Sequence, residues 1–254
     1  MDKENIIGAI NHNNFGNEII IIDYRKYNDI DVYFPEYDWT KEHVQYINFI
    51  NGRVKCPYEK TIFNTGYIGE GRYNVSINGK HTKHYDIWNR MLCRCYDPKY
   101  IQKHPTYEQC EVYEPWHNFQ NFAEWFEDNY YEIEEQIMNL DKDILIKGNK
   151  IYSPDTCIFV PQNINKLFTK RNNDRGNFPV GVSYNKSSKK YKAYCNTDKK
   201  QNFLGYYNTP EEAFQVYKNF KEKYIKEVAN QYRDIIPEKL YKAMLEYEVE
   251  EDDW

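Results

Sequence analysis

Ten lysines and arginines fall between residues 166 and 200: Lys166, Lys170, Arg171, Arg175, Lys186, Lys189, Lys190, Lys192, Lys199 and Lys200. Only Asp174 and Asp198 oppose them. In a chain of net charge −5, cations gathered in this way matter more than the total. They read either as a strip for phosphate or as a solvated, lysine-rich surface. Periodicity bears on the choice, because successive side chains of a strand point to opposite faces. Over Lys190–Asn196 this sends Tyr191, Ala193 and Cys195 one way and Lys190, Lys192, Tyr194 and Asn196 the other. Val182 and Leu204 join the first set. Ser183, Asn185, Gln201 and Phe203 join the lysines. A sheet that is apolar beneath and carries cations, amides and a ring outside has the chemistry to enter a DNA major groove.

Other chemistries find less support. The six cysteines are Cys56, Cys93, Cys95, Cys110, Cys157 and Cys195. Cys93 and Cys95 are one residue apart on a predicted helix, so they diverge, whereas zinc sites use pairs such as Cys-x-x-Cys. Gly66, Gly69 and Gly71 form no dinucleotide fingerprint, since no helix opens after them. No apolar run nears the ~20 residues of a membrane span; the longest is Ile19–Ile22. Met1-Asp2-Lys3-Glu4-Asn5 lacks the basic-then-apolar pattern of a secretory signal. The expectation is a soluble, intracellular protein with reduced thiols, in the cytoplasm of a bacterial host. Acids gather at Glu124, Glu127, Asp128, Glu132, Glu134 and Glu135, and again over 246–253.

Regular elements must position these groups. Glu18–Tyr24, Ile30–Phe34, Val44–Ile50 and Tyr73–Ile77 read as short strands, the spacing of a small β-barrel. Ile87, Trp88, Met91, Leu92 and Cys95 predict a helix over 85–96, and Phe119, Phe122, Ala123 and Phe126 another over 118–130. These aromatic stripes are core. Extended segments over 138–146 and 156–160, then a short helix from Pro161 to Phe168, give strand, turn, strand, helix. Strands over 180–185, 190–196 and 202–206 follow. Thr209-Pro210-Glu211-Glu212 supplies an N-cap, a first-turn proline and a capping-box glutamate for a long helix. Its stripe is Ala213, Val216, Tyr217, Phe220, Tyr224 and Val228. A last helix over 237–247 precedes a solvated acidic tail, 250–253.

Gly181-Val182, Lys190-Tyr191-Lys192-Ala193, Phe203-Leu204-Gly205-Tyr206-Tyr207, Thr209, Glu211-Glu212-Ala213 and Tyr217 together resemble the APETALA-two/ethylene-response-factor (ERF) domain. Plant transcription factors use this domain, and bacteria and phages carry it beside homing nucleases. The resemblance implies DNA contacts from Ser183, Asn185, Lys190, Lys192, Tyr194, Asn196, Gln201 and Phe203. Several of these positions are arginine or tryptophan in the plant domains, so base specificity does not carry over.

Residues 85–170 resemble a phage and prophage protein type through Trp88, Met91, Arg94-Cys95-Tyr96, Trp116, Phe119, Phe122, Leu140-Asp141-Lys142-Asp143, Tyr152-Ser153-Pro154, Cys157 and Asn165. The second half is similar to the His-Asn-His (HNH) endonuclease finger, a ββα unit around one divalent metal. There, a histidine after an aspartate activates water, a loop asparagine positions that histidine, and helix residues help hold the metal. The resemblance places Asp141 as the aspartate, Lys142 in the histidine's position and Asn149 as the loop asparagine. Asn163 or Asn165 takes the helix position, and Asp141, Asp143 and Asn165 are the metal candidates. A lysine is ordinarily protonated at neutral pH and makes a poor general base. His81, His84, His104 and His117 lie outside the finger, and His117 reads as a cap or core residue.

The expected fold class is α+β. It comprises a small N-terminal β-barrel (1–80), a helical and ββα, HNH-like middle (81–170), and a three-stranded sheet with packed helix (171–254). The expected function is binding of double-stranded DNA, sequence- or structure-specific, by a catalytically degenerate relative of phage homing endonucleases. One alternative is an active Mg2+-dependent homing or nicking endonuclease. Another is a phage protein whose acidic clusters engage a host defence protein.

Overall fold

In the segment Asp29–Phe34, Ile30, Val32 and Phe34 are buried and the residues between them are not, so the chain extends with one face inward. The computed structural model describes residues 6–168, 178–197 and 200–250. The chain is a mixture of helices and antiparallel sheets, an α+β protein, and it divides into two compact units, residues 1–128 and 129–254. The expected boundaries at 80 and 170 fall inside these units.

The first unit begins with a meander of β1 (Ile10–His12), β2 (Glu18–Lys26), β3 (Asp29–Phe34) and β4 (Trp39–Val44), paired in that order. Ile19, Ile21, Ile30, Val32 and Phe34 form its core with Val44, Phe49 and Val54. Among the described residues the sheet is open, and the closed barrel expected from the strand spacing is not found. The strand expected over 44–50 divides instead. Val44 ends β4, and Tyr46–Ile50 is a short helix, α1, that buries Phe49 and leaves Ile47 and Ile50 exposed. Inward residues at 46 and 49 follow helical spacing, which overrides the β-branched composition.

Asn78-Gly79 has positive φ at both residues, as a two-residue hairpin turn requires, and joins β5 (Ser76–Ile77) to β6 (Lys80–His81). The strand expected over 73–77 is therefore two residues long. The chain continues through α2 (Lys83–Tyr96), α3 (Pro98–Lys103), β7 (Glu111–Val112) and α4 (Phe119–Asn129). Trp88, Met91, Leu92 and Cys95 of α2 and Phe119, Phe122 and Ala123 of α4 are buried. The Trp88 and Phe119 rings lie 5.4 Å apart, and Trp88 Nε1 donates to the Trp116 carbonyl at 2.7 Å. Trp88 thus buries its ring without orphaning its N–H.

The second unit holds β8 (Met138–Asp141), β9 (Ile151–Tyr152), β10 (Ile158–Pro161) and α5 (Gln162–Phe168). β8 pairs antiparallel with β10, Asp141 opposite Ile158. Pro161 ends the strand, so the helix starts one residue later than expected. The sheet β11 (Val182–Asn185), β12 (Lys190–Asn196) and β13 (Gln201–Tyr207) follows, then α6 (Pro210–Gln231) and α7 (Glu238–Glu246). Thr209 Oγ1 accepts from Glu212 N–H, and the Glu212 carboxylate accepts from Thr209 N–H. This capping box is the one the sequence spells.

At 22 residues, α6 is about 33 Å long and serves two cores. Ala213, Phe214 and Tyr217 cover Val182, Ala193 and Cys195 of the sheet. Ile225, Val228 and Ala229 pack with Ile158, Val160, Ile164 and Leu167 of the β8–β10–α5 finger and with Leu240 and Met244 of α7. One continuous helix therefore joins the finger and the sheet in a single unit. The tail begins tied down: Val249 is buried, and Lys147 pairs with Glu250 at 2.7 Å. Among the described residues, no helix is long and apolar enough to cross a membrane, and no disulfide joins the six cysteines.

Candidate nucleic-acid interface and the finger

The apolar side of the three-stranded sheet is sealed by α6, so residues of opposite parity point outward. Across β11 and β12, Ser183 lies opposite Lys192, and Asn185 opposite Lys190. Across β12 and β13, Asn196 lies opposite Gln201, and Tyr194 opposite Phe203. All eight residues singled out from the sequence share this outer face. The register then shifts, with Gly205 opposite Ala193 and Tyr206 opposite Lys192. Leu204 is the extra residue of this bulge and still packs toward the core. Gly205 takes φ +131°, and a Cβ there would meet Tyr207 Oη at 2.8 Å.

The shift brings Tyr206 to the outer face, where strict alternation does not place it. Its hydroxyl accepts from Asn185 Nδ2 at 3.0 Å, and its ring lies 5.1 Å from that of Phe203. Lys192 Nζ stands 5.6 Å from the Tyr194 ring centroid and 5.7 Å from that of Phe203. The face is thus a row of rings with an ammonium at its centre. Lys186, Lys189, Lys190 and Lys200 are exposed around it. Among the described residues of 178–208 there is no aspartate, glutamate or arginine. Lys170, Arg171, Asp174, Arg175, Asp198 and Lys199 lie outside the described residues.

In the finger, Asp141, Lys142, Asp143 and Asn149 come together in one loop. Lys142 is only 7% exposed. Its Nζ donates to the Asn149 carbonyl at 2.6 Å and meets Asp143 Oδ2 at 3.3 Å, 5.8 Å from the Tyr152 ring centroid. Asn149 Nδ2 donates to the carbonyls of Lys142 and Ile151, each at 2.7 Å. Asn149 therefore pins both ends of the loop. Asp141 Oδ1 accepts from the N–H groups of Asp143 and Ile144 at 3.0 and 2.8 Å, as an Asx turn does. Burial first, then the charge of Asp143, pushes the Asp141 carboxyl up to about 6. Asn165 lies on α5, half-buried.

This loop does not fit a Mg2+ ion. Asp141 spends one oxygen on two backbone donors, and Asp143 is already met by the Lys142 ammonium, a cation a metal would have to face. The Lys142 nitrogen donates to the Asn149 carbonyl, the role of a charged donor and not of a general base. His84 and His117 are engaged within the first unit. His84 is stacked 5.5 Å from Phe119, and burial lowers its pKa. His117 Nε2 lies 3.3 Å from Tyr96 Oη, and burial likewise lowers its pKa. Both read as core-edge residues of the first unit.

One further cluster was not singled out from the sequence. The ligand atoms of Asp29, Asp31 and His43 lie within 4.8 Å of one another, the one group of three or more such side chains among the described residues. Arg25 already fills it, pairing with Asp23 at 2.6 Å, with Asp29 at 2.8 Å, and with Asp31. Hydrogen bonding to Arg25, then His43, takes the Asp29 carboxyl down to about 2. The group is a salt-bridge network at the β2–β3 turn. Comparison of the chain with protein-family models, curated proteins and solved structures finds no match.

Proposed function

We propose that this protein binds DNA through the outer face of the β11–β12–β13 sheet and that its finger descends from an HNH nuclease without retaining the cutting chemistry. The observation that carries the reading is the face itself. Cations and rings share one side of a sheet whose other side is sealed by a capped helix, with no acid among its described residues. Lysines so placed supply the sequence-independent attraction to phosphate that dominates nucleic-acid affinity. The net charge of −5 does not oppose this, because fields act locally within about 8 Å at physiological salt.

Loss of catalysis follows from the finger loop. The position that activates water in the resembled family holds Lys142, and its nitrogen is spent on Asn149 and Asp143. We place the protein in the cytoplasm of a phage-bearing bacterium, on the phage-type resemblance. The open β1–β4 sheet takes the place of the expected barrel as an accessory module. To test the reading, the full chain is mixed with supercoiled plasmid and Mg2+. Retarded but uncut plasmid is expected. Nicking by the wild type that Asp141→Ala abolishes would restore the enzyme, and failure to retard either the plasmid or a single-stranded oligonucleotide would remove DNA binding.

A further inference from the structure

The rings on the outer face bear on which form of DNA it holds. Phe203 is 56% exposed and Tyr206 43%, although both are large enough to be buried elsewhere. They lie side by side on β13, with Tyr194 across from Phe203 on β12. In a duplex each base is already stacked above and below, so a protein meets base edges in the grooves and backbone outside. Edge readers in the major groove rely on bidentate forks, above all arginine on guanine. No arginine stands on this face among the described residues. Of the amides, Asn185 is committed, with Nδ2 donating to Tyr206 and Oδ1 accepting from Ser187 and Ser188 N–H. What the face offers instead is π surface with lysines around it. Only an unpaired strand has free base faces to lay on such rings, while its phosphates meet the lysines.

Resting on the DNA-binding reading, we propose that the β11–β12–β13 face is a stacking platform for single-stranded DNA, with Phe203 and Tyr206 as the base-stacking residues, Tyr194 beside them and Lys192 as the central cation. The bulge at Leu204–Gly205 is the structural reason the platform exists. By letting both Leu204 and Gly205 lie on the core side, it turns Phe203 and Tyr206 to the same outer side of one strand. Without it, Tyr206 would point under α6.

The test uses the full chain and three fluorescent 20-base probes of one mixed sequence: single-stranded DNA, duplex DNA and single-stranded RNA. Anisotropy is expected to show single-stranded DNA bound at least tenfold more tightly than duplex. Phe203→Ala and Tyr206→Ala are each expected to weaken single-strand binding by about tenfold, as loss of one base–ring stack does. The loss for duplex should be smaller, and Phe203→Trp should retain single-strand affinity. Both side chains are exposed, and an unchanged circular dichroism spectrum checks that the variants fold. Equal or tighter binding of duplex, or alanine variants indistinguishable from wild type, overturns the platform while leaving DNA binding in place. Tighter binding of the RNA probe overturns the choice of DNA, and binding of none of the three removes both readings.

Discussion

Lys142→Met isolates what the buried amine contributes. Methionine keeps most of the stem against Tyr152 but removes the donor to the Asn149 carbonyl at 2.6 Å. A hydrogen bond from a charged group is worth about 1.5–3 kcal/mol. The contact with Asp143 adds little, because that carboxylate is half-exposed and such pairs contribute about 0–1 kcal/mol. The desolvation of the amine is relieved in the variant and offsets that small term. The net expectation is a loss of about 1.5–3 kcal/mol, localised to the loop and its two strands. Hydrogen exchange followed by mass spectrometry reads this directly on peptides covering 138–161. Amides there should exchange roughly ten to a hundred times faster, at about 1.4 kcal/mol per factor of ten. Asn149→Ala should act on the same peptides, and the double variant should fall short of the sum by more than about 0.5 kcal/mol, since both residues close one loop. Unchanged or slower exchange in Lys142→Met would refute the view that Lys142 holds the loop. That result would free its nitrogen for another task.

Asp141 has its carboxyl raised to about 6 by burial, so the folded state holds a proton that the unfolded chain releases near pH 4. Its contribution to stability is present below that range and is lost as pH rises through about 6. Asp141→Asn, which still offers an oxygen to the Asp143 and Ile144 N–H groups, should therefore gain on the wild type between pH 4 and pH 7 in urea titrations. A difference that does not vary with pH would contradict the assignment. Gly181 has φ +74°, and a Cβ there would lie 2.1 Å from Tyr217 Cδ2. Gly181→Ala should cost about 2–4 kcal/mol, from the left-handed backbone and the overpacking beneath the sheet. A melting temperature within a degree of wild type would count against this packing.

Much of the second unit was legible because its signals are local. Alternation along Lys190–Asn196 separates the sealed side from the outer one, and Thr209-Pro210-Glu211-Glu212 marks a helix start by side-chain chemistry alone. Tyr206 was not legible, since a bulge breaks the parity on which alternation depends; Gly205 between Leu204 and Tyr206 was its only trace. Nor was the union of finger and sheet. The α6 stripe reads as one face, but Ala213–Tyr217 and Ile225–Ala229 enter different cores, and only tertiary packing decides which. In the first unit, Val44–Ile50 has strand composition and partly helical structure, because Phe49 must reach the core. Closure of a barrel is likewise a long-range matter that strand spacing does not encode. The lysine at 142 was plain from the residue order, whereas the use of its nitrogen by Asn149 needed coordinates.

The salt dependence of DNA affinity tests the central claim most directly. Log affinity against log salt is measured for the wild type and for the double variant Lys190→Ser/Lys192→Ser, on single-stranded and duplex probes. Each phosphate neutralised contributes about 0.7 to the slope for a single strand and about 0.9 for a duplex. If both lysines lie against phosphate, the variant's slope should be shallower by roughly 1.4 or 1.8, with weaker binding at low salt. Identical slopes for the two proteins would show that nucleic acid, if bound at all, lies somewhere other than this face.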